Sequence, residues 1–104
     1  MNQLPAPFRR FIEQFPEVAD AYSNLGKATH EQGPLDAPTR QLIKLGMAIA
    51  SGREGAVHAH TRRALEVGVT AEQIYHCLLL AITSVGFPAT VAAYTWINDI
   101  LDAQ

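Results

Sequence analysis

The side chains best suited to chemistry lie between Gly52 and Leu65, a segment that reads GREGAVHAHTRRAL. This segment contains two histidines, His58 and His60, among arginines. Histidine titrates near neutral pH and can act as a general acid or base, whereas arginine can hold a carboxylate through a fixed fork of N–H donors. The residue types therefore point to proton transfer on an anionic substrate or to metal binding.

Helical spacing separates the two histidines. At about 100° per residue, His58 and His60 point about 160° apart on a helix, so this pair cannot share one metal ion. We therefore expect no metal cofactor. His60 falls on the apolar stripe of the helix, where it is either a packed core histidine or an imidazole that burial has made ready for proton transfer. Glu54, His58 and Arg62 are spaced by four and suit a solvated charge ladder.

The chain has one cysteine, Cys77, in the largely apolar segment IYHCLLL from Ile74 to Leu80. A single cysteine allows neither an internal disulfide framework nor a cysteine cage for zinc, which fits a reducing cytoplasm, where we expect the protein to be found. Apolar surroundings raise the pKa of a thiol, so we expect Cys77 to be buried and unreactive.

Length and composition predict one globular domain spanning residues 1–104. The sequence is 48% hydrophobic and 17% charged, with a formal net charge of −2. This charge provides no basic field for a nucleic acid or an anionic membrane, so we expect neither as a partner. The longest apolar run, Cys77 to Ile82, is far shorter than the roughly 20 residues of a membrane-spanning helix.

Helical periodicity interrupted by proline and glycine predicts an all-α fold of about six helices, with no alternating pattern typical of strands. Asp36 is a good N-cap, Thr70 to Gln73 form a capping box, and Gly68 is placed to end a helix in the left-handed conformation. The predicted helices cover 7–15, about 17–32, 37–51, 54–67, 71–85 and about 89–103.

Two of these helices are apolar nearly all round. The stretches 42–50 and 74–82 are each expected to be buried, and the apolar face from Val18 to Ala28 is expected to be ordinary core. A chain of this size has little interior in which to cover so much apolar surface. We therefore expect the subunits to associate, although a central hairpin wrapped by the other four helices is the alternative.

Several short motifs together resemble one known family. They are Leu35-Asp36, the apolar helix 42–50, the run His60-Thr61-Arg62-Arg63-Ala64-Leu65 followed by Gly68-Val69-Thr70, Glu72 to Ile74, and Gly86-Phe87-Pro88-Ala89. Over about residues 15–95 this pattern resembles the carboxymuconolactone decarboxylase and AhpD-like alkylhydroperoxidase family. The resemblance implies a core of helical hairpins assembled into a trimer or, as we expect here, a homo-hexamer.

The peroxidase branch of that family uses a Glu on one helix and a Cys-x-x-Cys-x-x-x-His motif on the next. By resemblance these positions fall on Gln41, Arg53, Ala56 and His60, so only the histidine is kept. Without the thiol pair there is no dithiol to oxidise, and the amide of Gln41 cannot take up a proton as a carboxylate would. A dithiol peroxidase mechanism is therefore not expected.

The decarboxylase branch also lacks the cysteine pair, and it acts on a small carboxylated lactone by proton transfer without a metal or organic cofactor. The resemblance implies an acid/base lyase in which His60 is the catalytic group and Arg53 or Arg62 binds a substrate carboxylate. A protein of the same fold that only binds a small ligand, or serves as an oligomeric scaffold, is the alternative, because fold alone does not determine function.

Overall fold

The computed structural model describes residues 6–104 and consists of six α-helices, with no strand among those residues. This confirms the predicted all-α class. The helices are α1 (Ala6–Gln14), α2 (Pro16–Glu31), α3 (Ala37–Ser51), α4 (Glu54–Glu66), α5 (Ala71–Val85) and α6 (Phe87–Leu101).

The helices form two compact units, the first ending at Pro34 and the second running from Leu35 to Gln104. In the first unit, α1 packs on α2, and neither helix contains a buried residue. The expectation that one face of α2 is ordinary core is therefore wrong, since Val18, Tyr22 and Leu25 are all exposed. These three residues recur at helical spacing and form one apolar stripe open to solvent.

The second unit contains the hydrophobic core. Helices α3 and α4 form an antiparallel hairpin and pack most extensively against each other, while α6 packs against α4 and α5. The buried apolar residues come from α3 to α6 and from the loop before α5: Leu45, Ala48, Ile49, Val57, Ala64, Val69, Ile74, Leu78, Ala93 and Ile97.

Local signals place most helix ends where they were predicted. The Asp36 carboxylate accepts a hydrogen bond from the Thr39 N–H at 2.9 Å, and the capping box of Thr70 and Gln73 is present. Gly68 has a φ of +91°, a conformation that costs glycine little. The last helix begins at Phe87 rather than near Ala89, because Pro88 lies in its first turn, where no N–H is needed.

The expectation that residues 42–50 are buried nearly all round is wrong for the single chain. One side of α3 packs into the core, but Ile43 and Met47 on another side are 41% and 64% exposed. On α5 likewise, Leu79 and Leu80 are exposed although Ile74 and Leu78 are buried. The physical reason is that each helix is covered only where its neighbours within the chain reach it.

Among residues 6–104 no helix combines the length and the apolar character needed to cross a bilayer.

Candidate functional site

The α3–α4 hairpin brings His60 and Gln41 together. Gly52 ends α3 with a φ of +69°, and Arg53 leads directly into α4, so the two helices turn back on each other. Across this hairpin the Nδ1 atom of His60 lies 3.2 Å from the Oε1 atom of Gln41. Gln41 and His60 are two of the positions carried over from the family motif, and the fold makes them direct neighbours.

Both side chains lie at the edge of the core. Gln41 is only 7% exposed, and His60 is half-buried on the same face of α4 as the fully buried Val57 and Ala64. The inward direction predicted for His60 is thus confirmed. The half-buried His60 side chain is partly accessible to solvent, and the amide of Gln41 is its polar partner.

The partner atom determines which protonation states the site supports. An amide oxygen is a hydrogen-bond acceptor, so the Nδ1–H of His60 donates to Gln41 in both the neutral and the charged imidazole. Nε2 is then the ring nitrogen at which His60 gains or loses a proton. Because Gln41 carries no charge, it orients the ring without adding the electrostatic bias toward the imidazolium that a carboxylate would impose.

The arginines predicted to bind a carboxylate lie in different places. Arg53 is the exposed N-cap of α4 and makes no capping hydrogen bond through its side chain. Arg62 is half-buried and stands two residues after His60, about 160° away around the helix. Ala56, the remaining motif position, packs against the core. Within this set, a hydrogen bond joins Gln41 to His60.

Cys77 packs against the backbone of α3. Its Sγ atom donates to the Leu42 carbonyl at 3.5 Å, and a Cβ added at Gly46 would lie 3.8 Å from the same sulfur. Burial raises the pKa of the Cys77 thiol. The expectation of a buried, unreactive thiol is met in part, since the residue is half-buried and its environment disfavours the thiolate.

A second polar cluster forms on another face of α4. The Nε2 atom of His58 lies 2.9 Å from an Asp99 carboxylate oxygen on α6, and Glu54 is close to both. The i, i+4 spacing predicted a local ladder of His58 with Glu54 and gave no sign of Asp99, which stands 41 residues further along the chain. No local pattern could have found this contact, because it depends on how α6 packs across α4.

Comparison with known proteins identifies the family signal over most of the chain. Residues 16–99 match the model of the carboxymuconolactone decarboxylase family. An uncharacterized protein of Haemophilus influenzae is 35% identical over 63 residues, which are 61% of this chain and 56% of that protein. The chain thus spans just over half the length of that relative.

Two further proteins that are similar to this chain are described with the same family name. The 4-carboxymuconolactone decarboxylase of Acinetobacter baylyi is 28% identical over 100 residues, covering 96% of this chain and 68% of that protein. A crystal structure of an apo carboxymuconolactone decarboxylase family protein from Legionella pneumophila superposes with a TM-score of 0.81 at 24% identity, covering 92% of this chain and 86% of the other. At this identity the structural match shows a shared fold.

Proposed function

The chain belongs to the carboxymuconolactone decarboxylase family, and from this premise we propose that it is a lyase that acts on a small carboxylated, lactone-type substrate by acid/base catalysis without a cofactor. The observation that carries the proposal is the hydrogen bond between Gln41 and His60, which orients the imidazole at the half-buried edge of the α3–α4 hairpin. The similarity to a protein named as a decarboxylase supports the reaction class.

Decarboxylation requires little from the protein besides positioning and one proton. The bond between the substrate carbon and its carboxylate breaks, CO₂ leaves, and the bonding electrons remain on the substrate, where conjugation to the lactone carbonyl can delocalise them. A proton must then be delivered to carbon. His60 is assigned as the general acid: its imidazolium form donates the proton from Nε2 and becomes the neutral ring, while Nδ1–H stays bonded to Gln41.

Arg53 is the better placed of the two candidate carboxylate-binding residues. Arg53 is the N-cap of α4 and precedes His60 by seven residues, so it lies near the same side of the helix but about 10 Å away along its axis. Arg62 lies about 160° from His60 around α4 and so faces away from it. A guanidinium at position 53 would hold a carboxylate left on the substrate and keep it aligned with His60.

The experiment is a screen of small carboxylated lactones for CO₂ release with the purified protein. His60→Gln should abolish turnover while the circular dichroism spectrum stays helical, and His76→Gln, at an exposed histidine on α5, is the matched control. Arg53→Gln should raise KM more than it lowers kcat, because its role is binding. Full turnover by His60→Gln would refute the assignment of the general acid.

Ligand binding without turnover is the second candidate function. The observation that favours it is that Gln41 occupies the position where a titratable Glu stands in the peroxidase branch, so the site holds one proton-transfer group rather than two. Binding of a small carboxylic acid would then raise the melting temperature with no product formed. Stabilisation that depends on His60 but produces no CO₂ would select this function over the lyase.

A dithiol peroxidase activity is not proposed. Neither Arg53 nor Ala56 can form a disulfide, and burial holds Cys77 in its thiol form at neutral pH. Hydroperoxide consumption that disappears in Cys77→Ser would overturn this conclusion. A lone thiol also agrees with the reducing cytoplasm expected as the location.

We also propose that the chain assembles with copies of itself, as a hexamer or trimer. Phe87, Val91 and Tyr94 recur at helical spacing on α6 and are 63%, 44% and 49% exposed, while Leu79 and Leu80 are exposed on α5. Contiguous exposed apolar surface is typical of association sites rather than of free solvent-facing helices. Burial against a second copy would remove these side chains from water.

Light scattering after gel filtration tests the assembly. Six chains of 11.3 kDa give about 68 kDa and three give about 34 kDa. Val91→Glu should dissociate the assembly, and Ala89→Glu, at an exposed position on the opposite side of α6, is the control for added charge. A wild-type mass near 11 kDa would refute the proposal.

A further inference from the structure

Three metal-ligating side chains meet between α4 and α6, away from His60. Glu54 and His58 are one turn apart on α4, and Asp99 reaches them from α6. One ligand atom of each residue lies within 4.8 Å of the others, and the His58 Nε2 and Asp99 Oδ2 atoms are 2.9 Å apart. We propose that these residues form a binding site for a divalent transition metal ion, and that Zn²⁺ is the ion it binds best.

The three side chains need only small shifts to coordinate such an ion, because the 2.9 Å between the His58 and Asp99 ligand atoms would open slightly and the atoms within 4.8 Å would close. Zinc is bound by His nitrogen and carboxylate oxygen at about 2.0–2.2 Å, so tetrahedral ligand atoms lie about 3.2–3.6 Å apart. Glu54 is exposed at the first position of α4, and its side chain is free to rotate closer without moving the backbone. The i, i+4 spacing of Glu54 and His58 puts both on one helix face, and Asp99 completes a three-sided arrangement.

Charge and chemistry favour a transition metal over calcium or magnesium. Two carboxylates and a neutral imidazole carry a total charge of −2, which a divalent ion neutralises. Calcium takes six to eight oxygen ligands and magnesium requires octahedral oxygen coordination, whereas a nitrogen donor suits zinc and its neighbours. Three protein ligands also leave a fourth position for water or a ligand atom.

A simple ion pair between His58 and Asp99 is the competing explanation. The contact needs only an N–H at Nε2 of His58, which the neutral or the charged imidazole can supply, and it gives Glu54 no role, although Glu54 lies within reach of both partners. Arg62, half-buried one turn beyond His58, is the other charged group that α4 presents on this side, and it opposes a bound cation. The two carboxylates outweigh this single positive charge. Metal binding predicts that Glu54 contributes to affinity, and the ion pair predicts that it does not.

The experiment measures binding of Zn²⁺ and Co²⁺ to the full chain after treatment with a chelator. Calorimetry gives stoichiometry and affinity, and the visible absorption of bound Co²⁺ reports the coordination geometry. We expect one ion per chain. Glu54→Gln, His58→Gln and Asp99→Asn should each weaken binding about tenfold or more, since even second-shell substitutions weaken metal affinity by 10- to 100-fold.

Two matched controls separate this site from other donors on the surface. Asp102→Asn removes a carboxylate three residues after Asp99, and His76→Gln removes an exposed imidazole on α5. Both should bind metal with wild-type affinity. Glu54 is exposed, so Glu54→Gln remains folded and keeps the test decisive even if another variant is unstable.

A wild-type Kd weaker than about 1 mM would overturn the proposal and leave His58 and Asp99 as an ion pair only. Binding of equal strength in wild type, Glu54→Gln and Asp99→Asn would overturn it as well. The result is independent of the proposed lyase activity, because the readout is metal binding and His60 lies about 160° away around α4.

Discussion

Replacing Gln41 with Leu tests whether the amide determines which nitrogen of His60 carries the proton. In the structure, Gln41 presents its Oε1 atom to Nδ1 at 3.2 Å. Neutral His60 should therefore exist mainly as the Nδ1–H tautomer, with Nε2 able to accept a proton. Leucine has a similar volume and fills the same place, which is 7% exposed in the wild type, but it offers no acceptor.

The size of the effect follows from the hydrogen bond that is lost. A bond of this kind contributes about 0.5–1.5 kcal/mol net, which corresponds to a change of about 2- to 13-fold in the ratio of the two tautomers. The distance of 3.2 Å is at the long end of the normal range, so we expect a change in the lower half of that interval. The direction is toward the Nε2–H tautomer in Gln41→Leu.

Nitrogen NMR of the imidazole rings, recorded above the titration range of the histidines, gives the tautomer ratio directly. Gln32→Leu, at an exposed glutamine after α2, controls for the loss of an amide elsewhere. A wild-type His60 found mainly as the Nε2–H tautomer would refute the reasoning, because the amide nitrogen would then face the ring. An unchanged ratio in Gln41→Leu would refute it equally.

Four further predictions concern the fold and the thiol. Gly68→Ala should cost about 1–2 kcal/mol and lower the melting temperature by roughly 5–10 °C, because φ at this position is +91°. Gly55→Ala should leave stability unchanged or raise it by up to about 1 kcal/mol, since a Cβ there meets nothing within 4 Å. Cys77 should react with iodoacetamide at a higher pH in the folded chain than in the chain unfolded by guanidinium, because burial raises the pKa of its thiol. Hydrogen bonding from Thr39 lowers the pKa of Asp36. The stability that the ionised Asp36 contributes is therefore complete above the ordinary pKa of about 3.9 and is lost as pH falls through the pKa of the folded state. In acid titrations followed by circular dichroism, the free energy of unfolding of Asp36→Asn should therefore decrease less than that of wild type.

Each of these results has a clear contrary outcome. Equal melting temperatures for Gly68→Ala and Gly55→Ala, measured at one protein concentration, would contradict the left-handed assignment at position 68. Alkylation of folded Cys77 at the rate of the unfolded chain would show an accessible thiolate, and Cys77→Ser should show no labelling at all. Acid unfolding curves that coincide for wild type and Asp36→Asn would show that the ionised Asp36 cap does not stabilise the fold.

The sequence alone determined the number of helices and most of their ends. These features depend on contacts within a few residues: Asp36 caps the helix that it precedes, Thr70 and Gln73 cap each other, and Gly68 ends α4. The start of α6 was misplaced because Gly86-Phe87-Pro88 looks like a break, although a proline in a first turn is compatible with a helix.

The inward direction of His60 could also be predicted, because it follows from the helical period of α4. The identity of its partner required knowledge of how α3 and α4 register against each other, and the family motif supplied that indirectly through Gln41. The burial of α3 and α5 could not be predicted in the same way. Apolar composition shows what a helix can bury, but only the packing of neighbouring helices decides which side is covered.

Only the tertiary structure brought Asp99 to His58. The two residues are 41 positions apart, and their contact depends on the angle and register at which α6 crosses α4. The spacing along α4 predicted a solvated ladder for Glu54 and His58, since i, i+4 neighbours are the only contacts that a single helix can indicate. The sequence determined the helices and the face that His60 occupies, whereas the packing of helices distant along the chain decided which polar side chains meet.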